Sequence, residues 1–151
     1  MKKEILKVTA IAGSLDILAA FCQGYLTSKI SPSILLQYIA SGVFGKSAFE
    51  GGLSIQFVGL LFHFIIAFAC ATSYYLVYPK IKFLKINWLL NALIIAVVAW
   101  TVTNLVIIPL SQIPARSFNF SKSLIAITIL FFCIGLPISF FAKKYYSENE
   151  T

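Results

Sequence analysis

Charged side chains are scarce in this sequence. Only 11% of its 151 residues are Asp, Glu, Lys or Arg, whereas 60% are hydrophobic, and the mean hydropathy is +0.91. A soluble domain usually carries about a quarter charged residues, which keep its surface in water. Twelve basic and five acidic side chains cannot cover a core this apolar. The shortage of charge therefore argues against an ordinary soluble domain and indicates a chain dissolved in lipid.

The sequence also lacks the alternation of apolar and polar residues that the strands of a membrane barrel require. Its apolar residues lie instead in continuous runs, and about 20 such residues cross a bilayer as a helix. The four runs are Val8 to Leu26, Ile55 to Val77, Trp88 to Leu110 and Leu124 to Phe141. We therefore predict an all-α membrane protein, with one domain over 1–151 and a four-helix transmembrane bundle at about 6–27, 54–78, 88–110 and 123–146.

A short amphipathic helix is predicted between the first two spans, at about 32–41. Ser31 can cap it, Pro32 suits its first position, and Gly42 can end it. Its expected apolar stripe is Ile34, Leu35, Tyr38 and Ile39, and its expected polar face is Ser33, Gln37 and Ser41. Such a helix would rest at the membrane interface on the external side, or fold over the bundle as a lid.

Lysines are divided unequally between the two sides of the predicted bundle. One side holds Lys2, Lys3, Lys7, Lys80, Lys82, Lys85, Lys143 and Lys144, and the other holds Lys29, Lys46, Arg116 and Lys122. Because positive loops stay inside, both termini are predicted to be cytoplasmic. The same side carries an expected interfacial belt of Tyr74, Tyr75, Tyr78, Trp88, Tyr145 and Tyr146. The net charge of +7 then favours contact with anionic lipid headgroups rather than nucleic acid.

Cysteine is also rare, and none lies in a predicted loop. Cys22, Cys70 and Cys133 all fall within predicted spans, so the disulfide pattern of extracellular loops is excluded. Neither a C-x-x-C pair nor a His/Cys spacing typical of a metal site occurs. We expect these thiols to pack as small side chains, and we expect no metal and no cofactor.

The segment "ASGVFGKS" matches the spacing of a phosphate-binding loop through Gly45, Lys46 and Ser47. A working loop of this kind joins a buried strand to a helix and needs an acidic residue nearby to hold magnesium. Here "AFEGG" follows, no such strand precedes, and the lysine distribution places the segment outside the cytoplasm. We interpret the match as chance and expect no nucleotide to bind.

Two ionisable residues lie inside predicted spans, Asp16 in the first and His63 in the second. A carboxylate in the bilayer costs about 3 kcal/mol, so it usually has a partner or a task. Asp16 also interrupts the apolar region that a signal peptide would need. Counting residues inward from opposite ends places both side chains near the middle of the membrane. We hypothesise that they face one another and titrate as a unit, either as a proton-linked site or as a structural pair.

Further polar and helix-breaking residues complete the candidate intramembrane site. Gln56 shares a helical face with His63, and Thr101 and Asn104 lie three residues apart in the third span. They could line a polar cavity or form hydrogen bonds between helices. Gly135 and Pro137 lie within the fourth span, where a kink or hinge is predicted.

Nothing in the sequence indicates an enzyme. Paired carboxylates are absent, and no Gly-x-Ser-x-Gly segment occurs. Three functions remain open. The chain could be a small proton-linked transporter or conductor, a non-catalytic structural or accessory subunit that packs in a homo-oligomer or beside other membrane proteins, or a protein like the small multidrug exporters, which also have four helices and an acid in the first.

Three segments resemble a known family. They are "GLLFHFIIAF" at 59–68, "YPKIK" at 78–82, and "NLVIIPLSQIP" at 104–114 followed by "SFNF". They are similar to the YagU-like bacterial inner-membrane proteins. The resemblance implies a bacterial cytoplasmic membrane and makes His63, Lys80, Lys82, Pro109 and Pro114 family positions. It implies no catalytic role, and it does not extend to the first predicted helix, which carries Asp16.

Overall fold

The computed structural model describes residues 1–114 and 118–149, and the regular structure in these two ranges is entirely helical. Arg116, which entered the charge count, lies outside them. The helices are α1 (Lys2–Ser28), α2 (Pro32–Phe44), α3 (Leu53–Val77), α4 (Trp88–Leu110) and α5 (Phe120–Asn149). Among the described residues, α1, α3, α4 and α5 are long and apolar enough to cross a membrane. The prediction of four membrane-spanning helices is confirmed to that extent.

Side-chain caps fix where several of these helices begin. Asn87 Oδ1 accepts hydrogen bonds from the backbone N–H groups of Leu89 and Leu90, at 2.9 and 3.2 Å, and starts α4. Asn119 Oδ1 accepts one from Lys122 N at 3.0 Å and starts α5. At the end of α1, Lys29 adopts a left-handed conformation, with φ 54°, which turns the chain toward α2.

The helix between the first two spans begins with the predicted Ser31 cap and Pro32 but runs on to Phe44. It packs closely on α3. Ser41 is buried, and Gln37 Nε2 donates to the Gly51 carbonyl at 2.6 Å, whereas Ile34 is exposed. These environments differ from the expected division into polar and apolar faces. The amphipathic character and external position of α2 remain predictions.

The spans pack in the order α4, α5, α1, α3, and α2 packs mainly on α3 and to a lesser extent on α1. Helix α5 lies between α4 and α1, and α4 and α3 scarcely touch each other. Glycines allow the close approaches. A Cβ atom added at Gly135 would overlap the Ala92 carbonyl of α4, and one at Gly13 would lie 2.7 Å from a ring carbon of Phe64 on α3.

The main cluster of buried apolar side chains occupies the half of the bundle that contains both termini and the α3–α4 connection, which we call the packed half. Its members are Ile5, Val8, Ala12, Ala71, Tyr74, Tyr75, Tyr78, Leu84, Ile95, Ile134, Ile138 and Ala142. The other half, toward the α1–α2 and α4–α5 connections, we call the open half. Large apolar side chains such as Phe57, Leu61 and Leu105 are exposed there, as expected for a surface that faces lipid.

Tyrosines fill the packed half instead of forming an interfacial belt. Tyr74, Tyr75 and Tyr78 are buried, and the Tyr78 ring stacks on Tyr146 with ring centres 5.2 Å apart. The Tyr146 hydroxyl donates to the Tyr75 carbonyl at 2.6 Å and so ties α5 to α3. The expectation of an aromatic belt is therefore wrong for these three residues, because the ends of α3 and α5 converge and bury them.

Candidate functional site

A cavity of about 720 Å³ occupies the open half. All five helices contribute to its wall, and it exists because α3 and α4 separate beyond the packed half. Its volume falls within the range of about 300–1,000 Å³ that is typical of sites for small molecules. Most of the wall is apolar, and its large aromatic members include Tyr38 from α2, Phe62 from α3 and Trp100 from α4.

Asp16 lies at the inner end of this cavity, beside the packed half. It shares one face of α1 with Ala20 and Gln23, which lie four and seven residues further along and also line the cavity. Asp16 is half-buried. Within the described ranges no ion pair joins its carboxylate to a lysine or arginine. The carboxylate does interact electrostatically with the imidazole of His63.

His63 also lines the cavity, and its ring is held by α1. Its Nε2 lies 2.8 Å from the Gly13 carbonyl oxygen, one helical turn before Asp16. Because a carbonyl can only accept, Nε2 must carry the proton, and in the neutral ring Nδ1 is then an acceptor. The Phe64 ring packs edge-on against the imidazole, with centres 5.4 Å apart. Asp16 and His63 thus line a single cavity, while the direct hydrogen bond of His63 goes to the backbone.

The other predicted site residues are divided by the structure. Asn104 lines the cavity and donates its Nδ2 to the Trp100 carbonyl at 2.9 Å, which leaves its Oδ1 as an acceptor. Gln56 and Thr101 are not among the residues that line this cavity, and Thr103 takes the place expected for Thr101. The reason is local: a π-helical turn starts at Thr103 and alters the face that residues three apart would share in a regular helix.

Two π-helical turns border the cavity, and each stands two residues before a proline. Thr103–Ile107 precedes Pro109 in α4, and Phe131–Gly135 precedes Pro137 in α5. A proline inside a helix removes an N–H donor and pushes on the preceding turn, which a wider turn can accommodate. The irregularity predicted at Gly135 and Pro137 is therefore present as a π turn. Its action as a hinge remains a hypothesis.

The α4–α5 connection is fastened to the end of α2. Gln112 N donates to the Gly42 carbonyl at 3.0 Å, and its side-chain Nε2 donates to the Val43 carbonyl at 2.5 Å. The neighbouring Ser111 and Ile113 line the outer end of the cavity. These bonds hold the connection across that end. Sequence reasoning did not foresee this contact between segments 69 residues apart, nor the aromatic wall at Phe62 and Trp100.

The remaining sequence candidates do not form a second site. Gly45, Lys46 and Ser47 lie in a 3-10 helix, Gly45–Phe49, between α2 and α3, and Ser47 Oγ donates to the Phe44 carbonyl at 2.7 Å. The strand that a phosphate loop requires does not precede them. The three cysteines are free thiols, and Cys70 lines the cavity. No group of three potential metal ligands occurs among the described residues.

Compared with protein families, with curated protein sequences and with solved structures, the chain matches none. The class of protein therefore follows from the molecule itself. Four helices long and apolar enough to span a membrane, around a half-open cavity, are the features of a multi-pass membrane protein.

Proposed function

We propose that this protein is a small proton-linked transporter, whose solute binds in the cavity of the open half. The observation that carries the proposal is that Asp16 and His63, the acid and the imidazole, line one cavity of a size that suits a small molecule, among helices long and apolar enough to span a membrane. Ionisable groups at such a position are costly and commonly serve proton or ion pathways.

The proposed chemistry is an exchange of one proton for one solute. Asp16 would hold a proton when the cavity is empty of solute and release it when solute binds, and His63 would accept or return it. The other titratable side chains among the described residues that line the cavity are Cys70 from α3 and Tyr38 from α2. Their thiol and phenol are weaker acids than a carboxylic acid, so we assign the exchanged proton to Asp16 and His63.

The proposal is tested in proteoliposomes that hold a trapped pH-sensitive dye and an acidic interior. Cationic, neutral and anionic small solutes are added outside, one class at a time. We expect one class to make the interior more alkaline faster than in protein-free liposomes, and Asp16→Asn to abolish the difference. Glu50→Gln is the matched control, because Glu50 is an exposed acid outside the cavity, and it should keep the wild-type rate. If wild-type protein moves no protons with any class, the proposal is wrong.

A structural role for His63 is the second candidate, and the hydrogen bond from His63 to the Gly13 carbonyl favours it. A glutamine can keep the donor but cannot titrate. If His63→Gln folds and retains full proton-coupled flux, His63 serves only to join α1 and α3. If it folds normally and loses the flux, the titratable ring is required.

A further inference from the structure

The charge of the cavity narrows the class of solute. Among the described residues lining it there is one carboxylate and one imidazole, but no lysine and no arginine. With a neutral imidazole and an ionised Asp16, the wall carries one negative charge. An anionic solute would meet that charge in a poorly hydrated space where repulsion is strong, whereas a monovalent cation would neutralise it.

Hydrogen-bonding capacity narrows the class further. The Nε2–H of His63 is engaged by the Gly13 carbonyl, so the neutral ring keeps the acceptor Nδ1, and the acceptor oxygens of Asp16 line the same cavity. The Nδ2 of Asn104 donates one of its two hydrogens to the Trp100 carbonyl, which leaves one N–H donor and the acceptor Oδ1. At the ionisable end of the cavity, the carboxylate of Asp16 and the Nδ1 of His63 are therefore acceptors. An occupant with N–H donors satisfies them, and a quaternary ammonium cannot.

The rest of the wall specifies an apolar body. From Asp16 the cavity runs along α1 to Gln23, about 10 Å at 1.5 Å per residue. Phe62, Trp100 and isoleucines from four helices line it. These surfaces match an aryl or alkyl group extending from a polar end that rests beside Asp16. Because α3 and α4 scarcely touch, such a molecule can enter sideways from the hydrocarbon region, where it already partitions.

We propose that the cavity binds lipophilic amines in their protonated, N–H-bearing form, with the ammonium on Asp16 and the apolar group against Phe62 and Trp100. The inference rests on the proposed function in one respect, since this amine would be the solute that is exchanged for a proton. Binding of the amine itself depends only on the residues that line the cavity.

The test is equilibrium dialysis of radiolabelled 4-phenylbutylamine against the protein in nanodiscs at pH 8, with binding to empty nanodiscs subtracted. Competitors that share the phenylbutyl group are 4-phenylbutanol, trimethyl(4-phenylbutyl)ammonium and 5-phenylvalerate. We expect the amine to bind about tenfold or more tightly than each competitor, which corresponds to about 1.4 kcal/mol. Equal binding of the alcohol would show that the cavity selects only for an apolar group. Equal binding of the quaternary ion would show that the cavity does not distinguish ligands by their N–H donors. Tighter binding of the carboxylate would show that the cavity prefers an anion to a cation. Each result overturns the proposal.

Variants assign the ammonium to its partner. Asp16→Asn should reduce amine affinity about tenfold or more and should bring it to within about twofold of the alcohol, since the charge pairing is gone. Asp16→Glu should restore part of the preference, and Glu50→Gln should change nothing. An undiminished amine preference in folded Asp16→Asn would overturn the assignment. If Asp16→Asn does not fold, the competitor series on the wild-type protein decides the proposal alone.

The outcomes separate this inference from the transport proposal. Selective amine binding without amine-driven proton movement in proteoliposomes would contradict the transport proposal and support the proposed class of ligand. Proton-coupled flux of a neutral or anionic solute that the amine does not affect would support the transport proposal and contradict the proposed class of ligand.

Discussion

At Gly59 the backbone of α3 meets the backbone of α2. A Cβ atom built at this position would overlap the carbonyl oxygen of Leu36, which belongs to a helical backbone and cannot move aside. Gly52, at the start of the same helix, has open space at the equivalent position. The two glycines therefore differ in what a methyl group would meet, although both lie at the α2-facing end of the molecule.

We expect Gly59→Ala to lower the free energy of unfolding by about 1–3 kcal/mol, the usual cost of forced overpacking. Gly52→Ala should change it by less than about 0.5 kcal/mol, as for an open surface site. Reversible unfolding in mixed micelles measures both. Equal effects of the two substitutions would contradict the close α2–α3 contact.

Residue counting predicted part of the candidate site and missed the rest for physical reasons. The depth of Asp16 and His63 follows from a fixed rise per residue in regular helix, and both line the cavity. Thr101 was expected beside Asn104 because regular helix places residues three apart on one face. The π turn at Thr103–Ile107 breaks that regularity, and no residue type inside the turn predicts it from the sequence.

At the scale of the helices, the sequence predicts where several of them begin, but it does not predict the π turns. Caps are local chemistry: Ser31 bonds the Ile34 N–H in the way its residue type and position predict. A π turn depends on how a proline two residues later is accommodated against neighbouring helices. Pro109 and Pro137 were visible in the sequence, but the choice between a kink and a wider turn is made by packing.

Pro137→Ala tests the role of the π turn in α5. Restoring an N–H inside the helix should raise the free energy of unfolding, by about 1 kcal/mol or more, and should slow proton-linked exchange if the turn acts as a hinge. Pro32→Ala is the control, because proline is favoured at the first position of α2 and its loss should lower stability slightly. Unfolding midpoints and proteoliposome rates give the comparison. A fall in stability for Pro137→Ala would show that the turn fits proline without strain.

For the whole molecule, composition predicted the class but not the asymmetry between the two halves. Apolar runs of sufficient length account for α1, α3, α4 and α5. The tyrosines, expected at the interface, instead fill the packed half, where the Tyr146 hydroxyl donates to the Tyr75 carbonyl but the buried Tyr75 hydroxyl has no hydrogen-bond partner among the described residues. The partner of each helix, and so the position of the cavity, depends on contacts between distant segments that periodicity does not encode.

Three spans, α3, α4 and α5, separate Ser28 from Ser147, so the two serines lie at opposite ends of the molecule, at the end of α1 and near the end of α5. In a chain with Cys22, Cys70 and Cys133 replaced, we expect Ser28→Cys and Ser147→Cys to react with a membrane-impermeant maleimide from opposite sides. The lysine distribution predicts that position 147 faces the cytoplasm. Labelling of both positions from one side would contradict the topology, and labelling of Ser147→Cys from outside would reverse the orientation.

The packing order of the spans has a consequence for biogenesis. The main protein neighbour of α4 is α5, which leaves the ribosome after α1, α2, α3 and α4, and α5 in turn separates α4 from α1. During synthesis α1, α2 and α3 can associate with one another before α5 is made. Helix α4 must remain in lipid, or beside the insertion machinery, until α5 is available. Helix α5 then inserts between α4 and α1. A nascent chain arrested before α5 would therefore expose α4 to quality-control proteases.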